Sequence, residues 1–156
     1  VETIFDALNA KAALVAIKES GTKAPIIISA AVGRGGETMI SAQKVEALWN
    51  TFAHLKPLAI GLNCSLGPDL MEPFLSDLSK VSTSHISCYP NAGLPNPLAP
   101  TGFDLLPKDM ADYSIDFADK GYVNLIGGCC GNTPEHIAAI AQAVEGKTPR
   151  ALPTLG

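Results

Sequence analysis

Asn124-Leu125-Ile126-Gly127-Gly128-Cys129-Cys130-Gly131-Asn132-Thr133-Pro134-Glu135 is the stretch that decides the fold. The apolar run over 122–126 that leads into it reads as a buried strand. Two glycines, two adjacent cysteines and a third glycine follow. Thr133 then offers an N-cap, and Pro134 suits the first helical position behind it. The helix predicted over 134–144 carries Ile137, Ile140 and Ala141 at helical spacing. Cys129 and Cys130 therefore stand where a strand ends and a helix begins. In parallel α/β folds that edge is where ligands bind.

Working outward, Pro57-Leu58-Ala59-Ile60-Gly61-Leu62-Asn63-Cys64 repeats the pattern: a strand ending in a cysteine, then Gly67-Pro68 and a new helix. If the two strands run parallel in one sheet, three thiols lie at the same end. Adjacent residues point in divergent directions, so Cys129 and Cys130 share an ion only if the backbone turns between them. Gly127, Gly128 and Gly131 give the chain that freedom. Three thiolates around one ion make a zinc site with its fourth position open, the catalytic pattern and not the closed structural one. Two other readings of these residues stay open, an oxidisable vicinal pair and small apolar residues packed in a tight turn. A structural zinc finger would want a fourth Cys or His at short spacing. Cys88 is the only spare cysteine, and no Cys-x-x-Cys or His-x-x-x-His occurs.

The remaining chain alternates in the same way. Thr3 is expected to cap a helix over 4–18 that buries Phe5, Leu8, Ala12, Val15 and Ala16. A strand over 25–32 leads into Gly33-Arg34-Gly35-Gly36, which lacks the Lys-Ser/Thr of a P-loop and the full GxGxxG spacing and reads as a flexible loop. Ser41 is expected to cap a helix over 42–55 with Val45, Leu48, Trp49 and Phe52 inward. A helix over 69–81 would bury Leu70, Phe74, Leu75 and Leu78. A strand over 84–89 enters a loop with Pro90, Pro95 and Pro97, which cannot be regular structure. A helix over 108–120 completes the series.

Four βα units in a row, preceded by a helix without its strand, demand a parallel sheet, either a small doubly wound one or part of an eight-stranded barrel. A whole barrel typically needs about 250 residues. Val1 reads as the last residue of a strand, which favours the barrel. The expected fold is thus α/β, the C-terminal half (about strands 5–8 with their helices) of a (β/α)8 TIM-type barrel. Residues 1–146 form this partial domain, and 147–156, with two prolines and no apolar period, form a linker.

Composition narrows the class without naming the chemistry. The 156 residues are 47% hydrophobic, enough to fill a core. A net charge of −4 with no basic cluster argues against nucleic acid. No apolar run reaches membrane-spanning length, and no signal peptide is expected. Four cysteines without a short-chain disulfide pattern fit a reducing cytoplasm.

Three segments point to a family. Gly61-Leu62-Asn63-Cys64, Pro90-Asn91-Ala92-Gly93-Leu94-Pro95 and Gly127-Gly128-Cys129-Cys130-Gly131 resemble, in that order, the zinc- and homocysteine-binding domain of homocysteine S-methyltransferases. Within that family the chain looks most like the cobalamin-dependent methionine synthase branch. Glu2-Thr3-Ile4-Phe5-Asp6 and Thr133-Pro134-Glu135-His136-Ile137 match as well. The resemblance covers essentially the whole chain but only about the second half of the family's domain.

The resemblance implies that Cys64, Cys129 and Cys130 ligate Zn2+ and that the homocysteine sulfur takes the fourth position. It implies that Glu2 holds the substrate's amino group. It also implies a methyl donor, methylcobalamin, bound by another module of a parent chain, with the 147–156 linker leading toward a folate-binding module. The wording of 90–95 favours the cobalamin branch over those using betaine or S-methylmethionine. Asn63 either contacts the site, fills the vacant metal position without substrate, or makes a structural bond at its strand end. Asn91 and the nearby prolines are expected to shape the rim, and Cys88 to be a packed thiol. His54, His85 and His136 persuade as ligands at none of their positions, and Asp6 and Asp69 read as early-helix charges. The family's other substrate contacts would lie in the absent half. The 156-residue chain alone is therefore expected to be inactive, with bare sheet edges and an uncovered apolar face.

Overall fold

Strand and helix alternate from one end of the chain to the other in the computed structural model, which describes residues 1–38 and 43–154. In order these are α1 (Ala7–Glu19), β1 (Ile27–Ala30), α2 (Val45–Phe52, continued by a 3-10 turn Ala53–Leu55), β2 (Ala59–Asn63), α3 (Pro68–Val81), β3 (His85–Tyr89), α4 (Pro107–Asp119), β4 (Leu125–Ile126) and α5 (Pro134–Val144). The strands form one parallel sheet in the order β1-β2-β3-β4. Ser29, Gly61, Ser87 and Leu125 stand abreast across it. Residues 1–4 run along the outer edge of β1: Ser29 N donates to Val1 O, Ile4 N to Ser29 O, and Ala31 N to Ile4 O. The first residues thus occupy the place of a strand end, as read from Val1.

Alternation along the strands sorts residues between two faces. Ile28, Ala30, Ile60, Leu62, Ile86 and Cys88 face the helices and join Leu14, Leu48, Trp49, Phe52, Met71, Leu75, Leu78 and Phe117 in the main core. Each large side chain fully buried there stabilises by about 1.5–3 kcal/mol. The opposite face carries the small and polar set Ser29, Gly61, Asn63 and Ser87, all of them buried.

Several helix details differ from the sequence reading. Asp6, not Thr3, caps α1, its Oδ2 accepting from Asn9 N at 3.0 Å. The buried side of α1 is Ala7, Ala10 and Leu14. Phe5, Leu8, Ala12, Val15 and Ala16 face outward, with Leu8 76% exposed. This helix is apolar on both sides, so its period could not choose the face, and the alanine side allows the closer approach to the sheet. In α5 the inward residues are His136 and Ile140, while Ile137 and Ala141 are exposed. In α3 Met71 joins Leu75 and Leu78, leaving Leu70 and Phe74 half-buried at the margin. The inward face of α2 is the predicted one. That helix starts at Val45, and the expected cap Ser41 and start at 42 lie outside the described residues.

The segment expected to be a linker is packed as far as Arg150. Lys147 pairs with Asp119 at 2.7 Å. Arg150 is 6% exposed, and its guanidinium donates to the carbonyls of Ser79 (2.8 Å), Ser82 (2.6 Å) and Ser84 (3.1 Å). Its backbone is held by Val123 O and Asn124 Nδ2. All these contacts lie at the N-terminal end of the strands, opposite the cysteines. Among the described residues no helix is long and apolar enough to cross a membrane.

Candidate metal and substrate site

β2 ends at Asn63, and Cys64 follows it directly in the left-handed region, φ +59°, with Ser65 at φ +64°. Two non-glycine residues held there in succession cost roughly 1–3 kcal/mol each. The turn aims the Cys64 side chain toward the end of β4. The segment after β3 ties the two cysteine-bearing loops together. Cys64 N donates to Tyr89 O at 3.0 Å, Cys129 N to Pro90 O at 2.8 Å, and Asn91 N to Leu66 O at 2.9 Å. Asn91 Oδ1 in turn accepts from Cys130 N at 3.1 Å. The expectation that Asn91 and its neighbours shape the rim thus has an atomic basis: the Pro-Asn-Ala turn is the bridge.

On the other side of that bridge, Asn132 Nδ2 donates to Pro90 O and to Cys129 O, closing the Cys-Cys turn on itself. The glycines around the pair serve different needs. Gly131 has φ +79° and lies so close to Phe103 that a Cβ would sit 2.4 Å from the ring. Gly128 is instead a matter of space, because a Cβ there would overlap the Asn132 carboxamide.

The result is convergence. Cys64 Sγ lies 3.6 Å from Cys130 Sγ, and Cys129 Sγ lies 4.0 Å from Cys130 Sγ. The three sulfurs all lie within 4.8 Å of one another, and all three are free thiols. A tetrahedral ion with zinc–sulfur bonds of about 2.3 Å would set its sulfurs about 3.8 Å apart. The electrostatics agree with that donor set. Burial, then the neighbouring Cys64 and Cys130, push the Cys129 thiol up to about 11. Cys130 is also raised, first by its hydrogen bond with Cys64 and then by burial. Thiols crowded this closely resist ionising together unless a cation compensates them, so the cluster fits a soft divalent ion such as zinc.

Other predicted residues separate cleanly. Cys88 is fully buried on the helix-facing side of β3, donates to Met71 Sδ at 3.6 Å, and burial pushes it up to about 12. Among the described residues no histidine joins the cluster. His136 is a buried brace, with Nδ1 accepting from Thr133 N and Nε2 donating to Leu105 O. Glu2 is exposed and immediately precedes Thr3. Burial, then Cys88 and Glu2, raise the Tyr89 phenol above its ordinary value. Asn63 is 1% exposed and spends its carboxamide on Thr3 and Ser29. These are bonds at the strand end, to Thr3 and to Ser29 of β1.

Tyr89 was not legible as a site residue. Its ring lies against Gly127, which precedes the Cys129–Cys130 turn. The available signal was its register, since Tyr89 stands abreast of Asn63 at the same strand edge.

A sequence profile described as homocysteine S-methyltransferase matches residues 1–144. The chain belongs to the homocysteine S-methyltransferase family. Among solved structures it is similar to the homocysteine methyltransferase MmuM from Escherichia coli in its apo form, with a TM-score of 0.69 and 22% identity over 91% of this chain. The oxidized form of the same protein aligns over 69% of this chain and 32% of its own, at 22% identity and a TM-score of 0.49. The likeness to the apo form shows the fold: the four-stranded parallel sheet is a fragment of a (β/α)8 barrel. The chain spans 47% of the length of that neighbour. As a member of this family the chain carries its three clustered thiols at the barrel's C-terminal edge, the usual place for a barrel's chemistry.

Proposed function

We propose that this chain is the zinc-bearing half of a homocysteine methyltransferase site, transferring a methyl group to the thiol of homocysteine to give methionine. One observation carries the reading: Cys64 and the Cys129–Cys130 pair, from different loops, bring their sulfurs within 4.8 Å in a member of this family. When bound, zinc supplies the acidity that leaves an incoming thiol ionised at neutral pH, where a free thiol of pKa about 8.5 is mostly protonated.

The residues of this chain do the rest. Cys64, Cys129 and Cys130 are soft, negatively charged donors that leave the centre electron-rich; a His- or carboxylate-rich set would suit activation of water instead. Pro90 and Asn91 hold the two ligand loops at fixed spacing. Glu2 offers a carboxylate for the substrate ammonium, and the Tyr89 ring packs against Gly127 ahead of the Cys129–Cys130 turn. The substrate sulfur is the nucleophile, so no protein nucleophile is required. A carbon–sulfur bond forms as the donor's bond to the same methyl group breaks, and the thiol proton passes to solvent.

Methylcobalamin, carried by another module of a parent chain, is the donor favoured by residues 90–95. That module and a folate-binding one are the expected partners, reached through the segment that begins at 147. The other half of the barrel is needed for turnover, and a cytoplasmic setting suits free thiols.

Metal analysis of the purified chain is the first test, with one zinc per chain expected, and loss of it in Cys64→Ser and in Cys129→Ser. A full complement of zinc in either variant removes the proposal. Turnover of homocysteine by the full-length protein with methylcobalamin, betaine or S-methylmethionine then assigns the donor.

A further inference from the structure

Two residues of the proposed site, Glu2 and Cys64, lie on separate segments, and a single buried side chain joins their immediate neighbours. Asn63 Oδ1 accepts from Ser29 Oγ at 2.5 Å and from Thr3 N at 3.3 Å. Its Nδ2 donates to Thr3 Oγ1 at 2.9 Å. Asn63 immediately precedes Cys64, and Thr3 immediately follows Glu2. Ser29 belongs to β1, the strand between them in the sheet, so the contact reaches across a whole strand.

Backbone conformation makes this bond unusual. Thr3 sits in the left-handed region at φ +54°, a conformation that L side chains rarely adopt. Residues 1–4 use Val1 O, Ile4 N and Ile4 O in their ladder with β1. Thr3 N is turned out of that ladder and goes to Asn63 instead. Cys64 and Ser65, on the far side, are left-handed too. Left-handed, strained residues thus flank this one hydrogen-bonded amide on both sides.

The residue type fits the task. The position needs an acceptor for two donors and a donor for one hydroxyl, at 1% exposure. Aspartate would bring a buried charge without a cation, serine would not span the gap, and leucine would strand three polar groups.

We infer that Asn63 is a positioning residue that fixes the distance between the Glu2 carboxylate and the Cys64 thiol, and so sets the span of amino-thiol the site accepts. The inference rests on the reading of Glu2 as the ammonium acceptor. It assigns selectivity for an α-amino thiol to a buried side chain acting through the residues beside Glu2 and Cys64. Metal affinity stays with the three sulfurs and the Asn91 bridge.

The test compares two thiols of equal chain length, homocysteine and 4-mercaptobutyrate, which lacks the ammonium. Both are titrated calorimetrically into the zinc-loaded full-length protein. Thr3→Val and Asn63→Leu should each keep one zinc per chain and cut the preference for homocysteine by about tenfold, within the roughly hundredfold that a misplacement of about 1 Å can cost. Thr3→Ser, which restores the hydroxyl, should restore the preference, and it keeps the test decisive if Asn63→Leu fails to fold. The thermal midpoint of metal-free Thr3→Val/Asn63→Leu should match that of Asn63→Leu alone. A preference that survives Thr3→Val but not Glu2→Gln overturns the inference and leaves the Glu2 reading standing. Equal binding of the two thiols by the unsubstituted protein removes both. Loss of zinc in Thr3→Val also overturns it, because the Asn63 bonds would then be serving the metal.

Discussion

Replacing Arg150 with alanine tests whether the C-terminal segment belongs to the domain. The guanidinium is 6% exposed and serves three carbonyls at the end of α3 and the entry to β3. Ser84 O keeps a second donor, Ser82 Oγ at 3.1 Å. The substitution therefore leaves chiefly Ser79 O and Ser82 O without their guanidinium partner. A buried polar group stripped of its partner costs about 1–3 kcal/mol. Because the site lies at the domain margin, where water can enter, we take about 3 kcal/mol for the pair. For a chain of this size that corresponds to a fall in Tm of roughly 6–12 °C. Arg150→Lys reaches one carbonyl and should recover about a third of the loss, since an ammonium lacks the planar fork. Urea unfolding followed by circular dichroism reads both variants. A loss under about 0.5 kcal/mol, or equal stability of the Lys and Arg forms, would refute the reasoning and return 147–150 to the status of a tether. The pinning residue lies beyond residue 144, where the family match ends.

Gly131→Ala, at φ +79° and against Phe103, should destabilise by about 2–4 kcal/mol and weaken zinc retention; an unchanged Tm contradicts the geometry. Cys88 is raised in the fold from 9.0 to about 12, so its contribution is complete below pH 9 and is lost as pH climbs toward 12. Stability should therefore fall by about 1.4 kcal/mol per pH unit across that window, and Cys88→Val should flatten the fall. Cys129 and Cys130 are both raised, so each must lose a proton to bind metal below its own pKa. Three thiols must each shed a proton to bind as thiolates, so apparent zinc affinity should drop by up to about a thousandfold per unit as pH falls from 8 to 6, and a pH-independent value counts against the three-sulfur site. The 156-residue chain alone should associate as concentration rises, through the bare stripe that includes Leu8 and Val15 on α1. Leu8→Glu with Val15→Lys should suppress this, and a monomer at all concentrations speaks against it.

Punctuation carried most of what the sequence disclosed. Thr133-Pro134 marks the start of α5, and its predicted span coincides with the observed helix. Val45, Leu48, Trp49 and Phe52 could be placed inward because α2 has one apolar face. α1 offered two, and only the sheet decides between them. The three cysteines were readable because each follows a strand, and parallel strands share an end. The clamp made by Asn63 was not readable. It depends on Thr3 adopting a left-handed backbone and meeting a residue 60 positions away, which no local pattern encodes. Arg150 escaped for a similar reason: prolines on a polar tail look alike whether it is free or docked.

Cys129 and Cys130 are neighbours in the chain, whereas Cys64 lies 66 positions from Cys130. A disordered polymer can therefore grip an ion with two sulfurs at once, but the third arrives only after the strands between have found their register. Full coordination then closes a long loop and favours the ordered ensemble over the random one by mass action. An ion held by all three sulfurs would therefore report completed assembly, and withdrawing it with a chelator should quicken the opening of β2 and β4 together.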